Sequence, residues 1–535
     1  MSLNVEMKTV LATCATVVCA LVAVAPSVAS PAKRLPPLTP VAHDALTRAL
    51  ERGELTEAQY ALERARSLFS LGAVRREFGD VARPGPRQAT PILRDLAARY
   101  RSLRASQRVT ARDILARPSA HQSACDPVRP LCYHWATSGP NATSPDDVAD
   151  TEATVAGVYD LEVGTYGYLP PLSDGTDGGS GSTDIYLRDI GDDGLFGYCM
   201  TDDPNTLPGS GYDFFDVSAF CVLDNDFSEF GTSQTPQEFR DVTAAHEFFH
   251  AIQFHYDWLE DLWLMEGTAM VMEDQYADDV NDNVNYLAHS ALTSPGTPVD
   301  RGSGGFEYGA WIFWRFLIED RGELANPLII KQIWERADGS SDEDGGGPDT
   351  VGPDDYSLQA ARHVVAARGS SFRALFGKFA SVNRTPARFY SEGGSYPRAP
   401  LSHTYYLGRS RPRTDWQSTR LSHLASRYFA FKPGSTASSN GSLRVRVDLP
   451  RRWRGPEAYL LVRRTSGSWY VRKFALDSDG DGVRSVAFGR GTIREVDLVL
   501  TNASTRMSCW RGTVYSCSGV GADDLLYYRF RATVR

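Results

Sequence analysis

The sequence predicts an α+β domain, with a sheet subdomain, one long helix carrying the reactive side chains and a helical subdomain, preceded by a helical leader and followed by an all-β sandwich. Three observations predict it. Apolar residues recur at helical spacing among arginines and glutamates over 46–69 and 92–115. Short alternating runs and Gly/Asp-rich loops fill 125–235 before helical patterns return, and from about Pro400 onward the pattern is strands separated by turn residues. The divisions that follow are 1–29, 30–120, 121–395 and 396–535.

At the amino terminus, Lys8 precedes the apolar run 9–25, and Ser27, Val28 and Ala29 place small residues where signal peptidase cuts. Residues 1–29 therefore read as a secretory signal; a membrane anchor is the competing reading, although the run is short for a span. No later stretch is long and apolar enough to cross a bilayer. Removing 1–29 takes Cys14 and Cys19 with it and leaves Cys125, Cys132, Cys199, Cys221, Cys509 and Cys517, which an exported protein can oxidise. Their local spacing favours 125 with 132, 199 with 221 and 509 with 517, among the connectivities that six cysteines allow.

Residues 30–120 hold two or more amphipathic helices, 46–69 and 92–115, separated by the turn-forming Arg83, Pro84, Gly85 and Pro86. Helices between an export signal and a larger domain read as a detachable propeptide, with a retained helical domain as the alternative. Next, 183–190 alternates as a half-buried strand, and 219–223 is a short apolar run beside Asp224, Asn225 and Asp226. The loop 174–179 offers Asp174 and Asp177 to calcium; the plainer reading is a solvated loop.

The long helix is marked by Thr235, Pro236 and Glu238: a capping hydroxyl, a proline at the first helical position and a glutamate three residues after the cap. It should run from about 236 to about 256. His246 and His250, four residues apart, then lie about 40° apart around the axis and one turn along, so both imidazoles reach one ion of the size and geometry of zinc. Glu247 sits beside that ion, where its carboxylate can take a proton from water. A catalytic zinc has three protein ligands and a position open to water, so the third ligand decides the reading. His255 is turned about 140° away from His250 on a continuing helix and reads as a polar residue on the outer face. Glu266 is the better choice, because a turn through 257–261 lets a second helix return antiparallel and bring its carboxylate to the metal.

The stretch Asp261-Leu-Trp-Leu-Met-Glu-Gly-Thr-Ala269, with Glu273 seven residues after Glu266, resembles the Asp-Leu-Trp-Leu-Asn-Glu-Gly-Phe-Ala motif of aminopeptidase-N-like gluzincins. Like the thermolysin-like enzymes, those bind zinc through His-Glu-x-x-His and a downstream glutamate. The resemblance implies a zincin-like domain over 121–395 in which His246, His250 and Glu266 are zinc ligands and Glu247 is the general base. It also implies a substrate-pairing edge strand, a part that falls to 219–223, and an oxyanion donor, a part that falls to Tyr308 at the head of the apolar segment 308–318. Without that role, Tyr308 is an aromatic core residue. The chain departs from the pattern in a shorter interval from His250 to Glu266, in Met265 and Thr268, and in lacking the Gly-x-Met-Glu-Asn stretch with which aminopeptidases grip a free amino terminus. The same stretches resemble a group of secreted bacterial proteins described as metalloproteases. No cysteine in 30–120 is available to block the zinc as a thiol.

Beyond the site, 338–354 reads as a mobile loop, 357–368 and 371–382 as helices, and 428–431, 443–448, 458–463, 496–500 and 528–534 as the strands of a sandwich. The segment 477–482 begins like a calcium loop, but Phe488 stands at the twelfth position, so a hairpin turn is the reading. The net charge is −10; residues 31–120 are arginine-rich and basic, and the remainder taken together is acidic. No nucleic-acid module accompanies the basic leader, which reads instead as a complement to an acidic domain. The function expected is a secreted zinc-dependent endopeptidase acting on protein or peptide. Left open are an aminopeptidase, a zinc hydrolase of non-peptide amide or ester bonds, and a surface-binding protein with a vestigial zinc site whose sandwich engages polysaccharide or protein.

Overall fold

The computed structural model describes residues 35, 37–39, 42–202, 216–319, 328–338 and 355–535. The signal expected over 1–29 and most of the loop expected over 338–354 lie outside them. Residues 34–535 form one compact unit of mixed α and β structure.

The leader folds as α1 (Ala45–Glu51), α2 (Glu57–Phe69), α3 (Leu71–Phe78), α4 (Ala89–Arg99) and α5 (Ala105–Leu115). Where the sequence suggests one helix over 46–69 there are two, because Gly53 adopts a left-handed φ of 71° and a Thr56/Gln59 capping box starts α2 afresh. A buried, doubly bonded pair, Arg64 with Asp44, ties the cap of α1 to α2. The leader buries its apolar stripe in the main core: Leu62, Ala65, Leu93 and Leu96 share one cluster with Tyr198, Phe220 and Phe249.

The first sheet comprises β1 (Gln122–Cys125), β2 (Leu131–Trp135), β3 (Thr183–Arg188), β4 (Gly197–Met200) and β5 (Phe220–Asp224), in the order β1-β2-β3-β5-β4, with α6 (Pro145–Tyr159) between β2 and β3. β2, β3 and β5 run parallel, and β4 lies antiparallel to β5 at the edge. This corrects the expectation for 219–223, of which 220–223 belong to the interior strand β5; its continuous apolar run reflects burial on both faces. Cys125–Cys132 and Cys199–Cys221 each join directly opposed residues of antiparallel pairs, and Cys509–Cys517 closes a loop near the carboxy terminus.

α7 (Pro236–Asp257) starts at the expected cap: Thr235 accepts from the Glu238 amide at 3.2 Å, and Glu238 accepts from the Thr235 amide at 2.6 Å. α8 (Leu262–Tyr276) returns antiparallel, with Gln253 meeting Met265 and His246 meeting Glu273. Gly267 lets α8 close on the next layer, since a Cβ there would lie 2.7 Å from Trp314 Nε1. That layer comprises α9 (Phe306–Gly309), α10 (Trp311–Glu319), α11 (Leu328–Ala337), α12 (Ser357–Ala367), α13 (Phe372–Val382) and α14 (Pro386–Phe389). The segment expected as one helix from Tyr308 is thus split between α9 and α10. No helix among the described residues is long and apolar enough to cross a membrane.

The carboxy-terminal strands are β6 (His403–Leu407), β7 (Gln417–Leu421), β8 (Ala425–Pro433), β9 (Ser442–Asp448), β10 (Pro456–Arg464), β11 (Trp469–Lys473), β12 (Asp481–Ala487), β13 (Ile493–Asn502), β14 (Met507–Ser508), β15 (Val520–Gly521) and β16 (Leu526–Val534). They form two sheets, β11-β10-β13-β8-β6 and β12-β9-β16-β7, around a shared apolar core, with β14 and β15 as a small separate pair. Before β12 the chain turns on Asp477, whose Oδ1 accepts from the amides of Asp479 and Asp481, and a single antiparallel bridge, Leu476 with Gly482, closes the turn; the flanking strands β11 and β12 lie in different sheets, so the expected hairpin turn is local and joins no strand pair.

Candidate metal centre

α7 places His246 and His250 with ring centroids 4.7 Å apart, and α8 brings Glu266 Oε2 to 3.3 Å from His246 Nε2 and 3.6 Å from His250 Nε2. All three are fully buried. Both Nε2 atoms and both oxygens of Glu266 lack a hydrogen-bond partner, as does Glu247 Oε1 next to them. Orphaned polar atoms facing one another in a core are costly unless a common partner satisfies them, and His246, His250 and Glu266 could together hold a metal ion.

The groups behind the cluster fix its chemistry. His246 Nδ1 lies 2.6 Å from Glu273 Oε1, and His250 Nδ1 lies 2.7 Å from Gln253 Oε1. Those oxygens accept, so each Nδ1 carries a proton, and in the neutral, metal-binding form each Nε2 turns a lone pair to the cluster. Gln253 is held in turn by donating to the Met265 carbonyl at 2.9 Å and to Thr268 Oγ1 at 3.1 Å. Burial opposes protonation of His246, yet Glu266 and Glu273 raise its pKa to about 9; burial likewise opposes ionisation of Glu266, yet His250 and His246 hold it down to about 2. The pocket thus favours positive charge between these groups. Gln253→Leu removes the acceptor at similar size and should weaken any divalent metal held by the cluster about 10- to 100-fold in competition with a chromophoric chelator; unchanged affinity would take Gln253 out of the site. Neither Gln253 nor the orienting role of Glu273 is visible in the sequence reading, although both residues lie on the two helices it identifies.

The leader reaches the same place. Thr90, at the start of α4, donates its hydroxyl to Glu247 Oε2 at 2.9 Å and accepts from the Cys199 amide of β4 at 2.9 Å. The Pro86 carbonyl accepts from the Phe196 amide at 3.1 Å. The Arg87 guanidinium, buried, pairs with Glu273 at 3.0 Å and Asp282 at 2.7 Å. Tyr308 stacks 6.4 Å from His246, centroid to centroid, and its hydroxyl donates to the Arg87 carbonyl at 3.0 Å. Residues 86–90 therefore occupy the Cys199 amide of the edge strand and the Phe196 amide just before it, the hydroxyl of Tyr308 and one oxygen of Glu247 at once. Gly197 allows the fit between β4 and α7, since a Cβ there would lie 3.0 Å from Glu247 Cγ.

Two other sequence candidates lie elsewhere. His255 is off the cluster as expected, but it is buried rather than on an outer face, with Nδ1 2.5 Å from the Pro170 carbonyl. Asp174, offered above as a calcium ligand, binds Arg117 Nη2 at 2.6 Å in an ion-pair group with Asp184 and Asp202 that anchors the far end of the leader.

No family model matches the chain, and no curated protein matches it. Among solved structures, it is similar to a periplasmic inhibitor of g-type lysozyme from Escherichia coli, at 10% identity over 25% of this chain and 96% of that one, with a TM-score of 0.15. The pre-peptidase C-terminal domain of a collagenase from Bacillus anthracis matches at 9% identity over 25% of this chain and 97% of that one, also with a TM-score of 0.15. At such scores these likenesses carry no argument about fold or function.

Proposed function

We propose that the chain is the precursor of an exported, zincin-like zinc endopeptidase, with His246, His250 and Glu266 as ligands and Glu247 as general base. The observation that carries this reading is the convergence of buried, unpartnered atoms of those three residues beside the equally unpartnered Glu247 Oε1. The donor set, two imidazoles and one carboxylate, suits zinc in a catalytic rather than a structural role. Three disulfides favour export to an oxidising compartment.

Zinc bound there would supply a Lewis acid that polarises the scissile carbonyl and acidifies the attacking water. Glu247 takes the proton from that water and delivers it to the departing amine. Glu273 and Gln253 keep the imidazoles aimed. Once the leader is gone, Tyr308 is free to donate to the developing oxyanion, and the outer edge of β4 is free to pair with substrate backbone. Residues 86–90 hold just these groups in the precursor, which favours the propeptide reading over a retained helical domain.

The test uses leader-free protein on casein and on peptides blocked at both ends. Cleavage should fall inside the chain, stop with a chelator and return with zinc, and Glu266→Ala should lose both metal and activity. Stepwise trimming of free-ended peptides alone would favour an aminopeptidase, and full zinc occupancy in Glu266→Ala would exclude Glu266 as the third ligand.

A further inference from the structure

Residues 396–535 contain 24 lysines and arginines against 10 aspartates and glutamates, a net +14 in a chain whose total is −10. The sandwich is thus basic within the part of the chain that is acidic as a whole. Its sheet β11-β10-β13-β8-β6 turns its outer face to α13, where Ala380 packs with Tyr428, Tyr459, Leu461 and Val499. The other sheet, β12-β9-β16-β7, alternates buried apolar with exposed residues and leaves its outer face in solvent.

That outer face is a lattice of arginine. Arg444 and Arg446 alternate with buried Leu443, Val445 and Val447 on β9, Arg529 and Arg531 alternate with buried Tyr528, Phe530 and Ala532 on β16, and Arg420 projects from β7. Arg446 stands directly opposite Arg531. Like charges so placed destabilise a strand pair. Among the described residues, no carboxylate lies within ion-pair distance of Arg420, Arg444, Arg446 or Arg531, and Asp448 answers Arg529 alone, at 3.0 Å. The neighbouring rings order the guanidinium groups: Arg529 and Arg531 lie 5.1 and 5.3 Å from the Trp416 ring centroid, and Arg420 lies 4.3 Å from that of Tyr527. A fold needs none of this; alternating threonine and glutamate would serve the sheet better.

We propose that this face docks an acidic polysaccharide, a linear chain bearing carboxylate or sulfate groups, and so holds the enzyme at an anionic surface. Strand geometry sets the arginines about 5 Å apart across strands and about 7 Å apart along them, a flat array suited to repeated anionic groups on a stiff chain, each met by a guanidinium fork. Two features disfavour nucleic acid. The aromatic faces that would stack bases are already covered by arginines, and the flat sheet presents no helix or ribbon to enter a groove.

The test is calorimetric titration of the full chain at low salt with polygalacturonate, heparin, neutral dextran and single-stranded DNA. Polygalacturonate or heparin should bind, distinguishing carboxylate from sulfate preference, dextran should not, and affinity should fall steeply as salt is raised. An Arg446→Glu, Arg531→Glu double variant should bind at least tenfold more weakly, while the corresponding glutamine variant, freed of the opposed like charges, melts no lower than the parent. Glu247→Gln should bind like the parent, so this result and the peptidase reading stand or fall separately. No binding of either polyanion, equal binding by the double glutamate variant, or tighter binding of DNA overturns the proposal.

Discussion

Protein cut in the exposed stretch 119–125 and separated from its leader should hydrolyse casein on the order of a hundredfold faster than the intact chain. The magnitude follows from the docking. Residues 86–90 engage the Phe196 and Cys199 amides, the Tyr308 hydroxyl and Glu247, so on the proposed function substrate would enter only when the leader lifts away. A closed state favoured by only about 3 kcal/mol leaves on the order of 1% of molecules open, since each ~1.4 kcal/mol is tenfold. The buried contacts of Arg87 with Glu273 and Asp282 make such a preference modest to ask. Cutting alone is insufficient, because Leu62, Leu93 and Leu96 keep the leader in the shared core; separation must follow. Leader added back should inhibit, and leader carrying Thr90→Val should inhibit less, having lost its bonds to Glu247 and β4. Equal activity before and after separation would return the leader to the role of a retained helical domain.

What the sequence made legible is what local chemistry determines. The start of α7 follows from Thr235, Pro236 and Glu238, which cap a helix wherever it is placed. The spacing of His246, Glu247 and His250 is a property of that helix alone, and two of the three disulfides join strands that follow one another in the chain while the third closes a short loop. Relations set by packing were not legible. An amphipathic pattern over 92–115 announces an apolar stripe but not its partner, so the placement of Thr90 against Glu247 had no signal in the sequence. The edge strand went unrecognised because Gly197–Met200 is four residues long and begins with a glycine, whereas the conspicuous apolar run belongs to the interior β5. His255 read as exposed from its angle on α7 and its polarity; buried instead, it is satisfied by the Pro170 carbonyl supplied by a distant loop. The arginine face of the sandwich is legible only after strand register puts Arg446 opposite Arg531.

Glu247→Gln in leader-free protein should lower the hydrolytic rate about a hundredfold to ten-thousandfold while zinc content and melting temperature stay close to the parent's. The separation of effects rests on position. Glu247 follows a ligand by one residue, and its carboxylate bonds to Thr90 rather than to His246, His250 or Glu266, so it contributes to the cluster's surroundings without orienting a ligand. Glutamine keeps the volume against Gly197 and the helix, so the fit between β4 and α7 is undisturbed. It lacks the basicity to take a proton from water, and a positioned general base is worth that much in rate. A loss confined to activity, with metal retained, is what a proton-transfer role predicts; a parallel loss of zinc would place Glu247 in the ligand set instead. Parental activity in a zinc-loaded Glu247→Gln protein would remove the residue from the mechanism and leave His246, His250 and Glu266 as a metal site without this base.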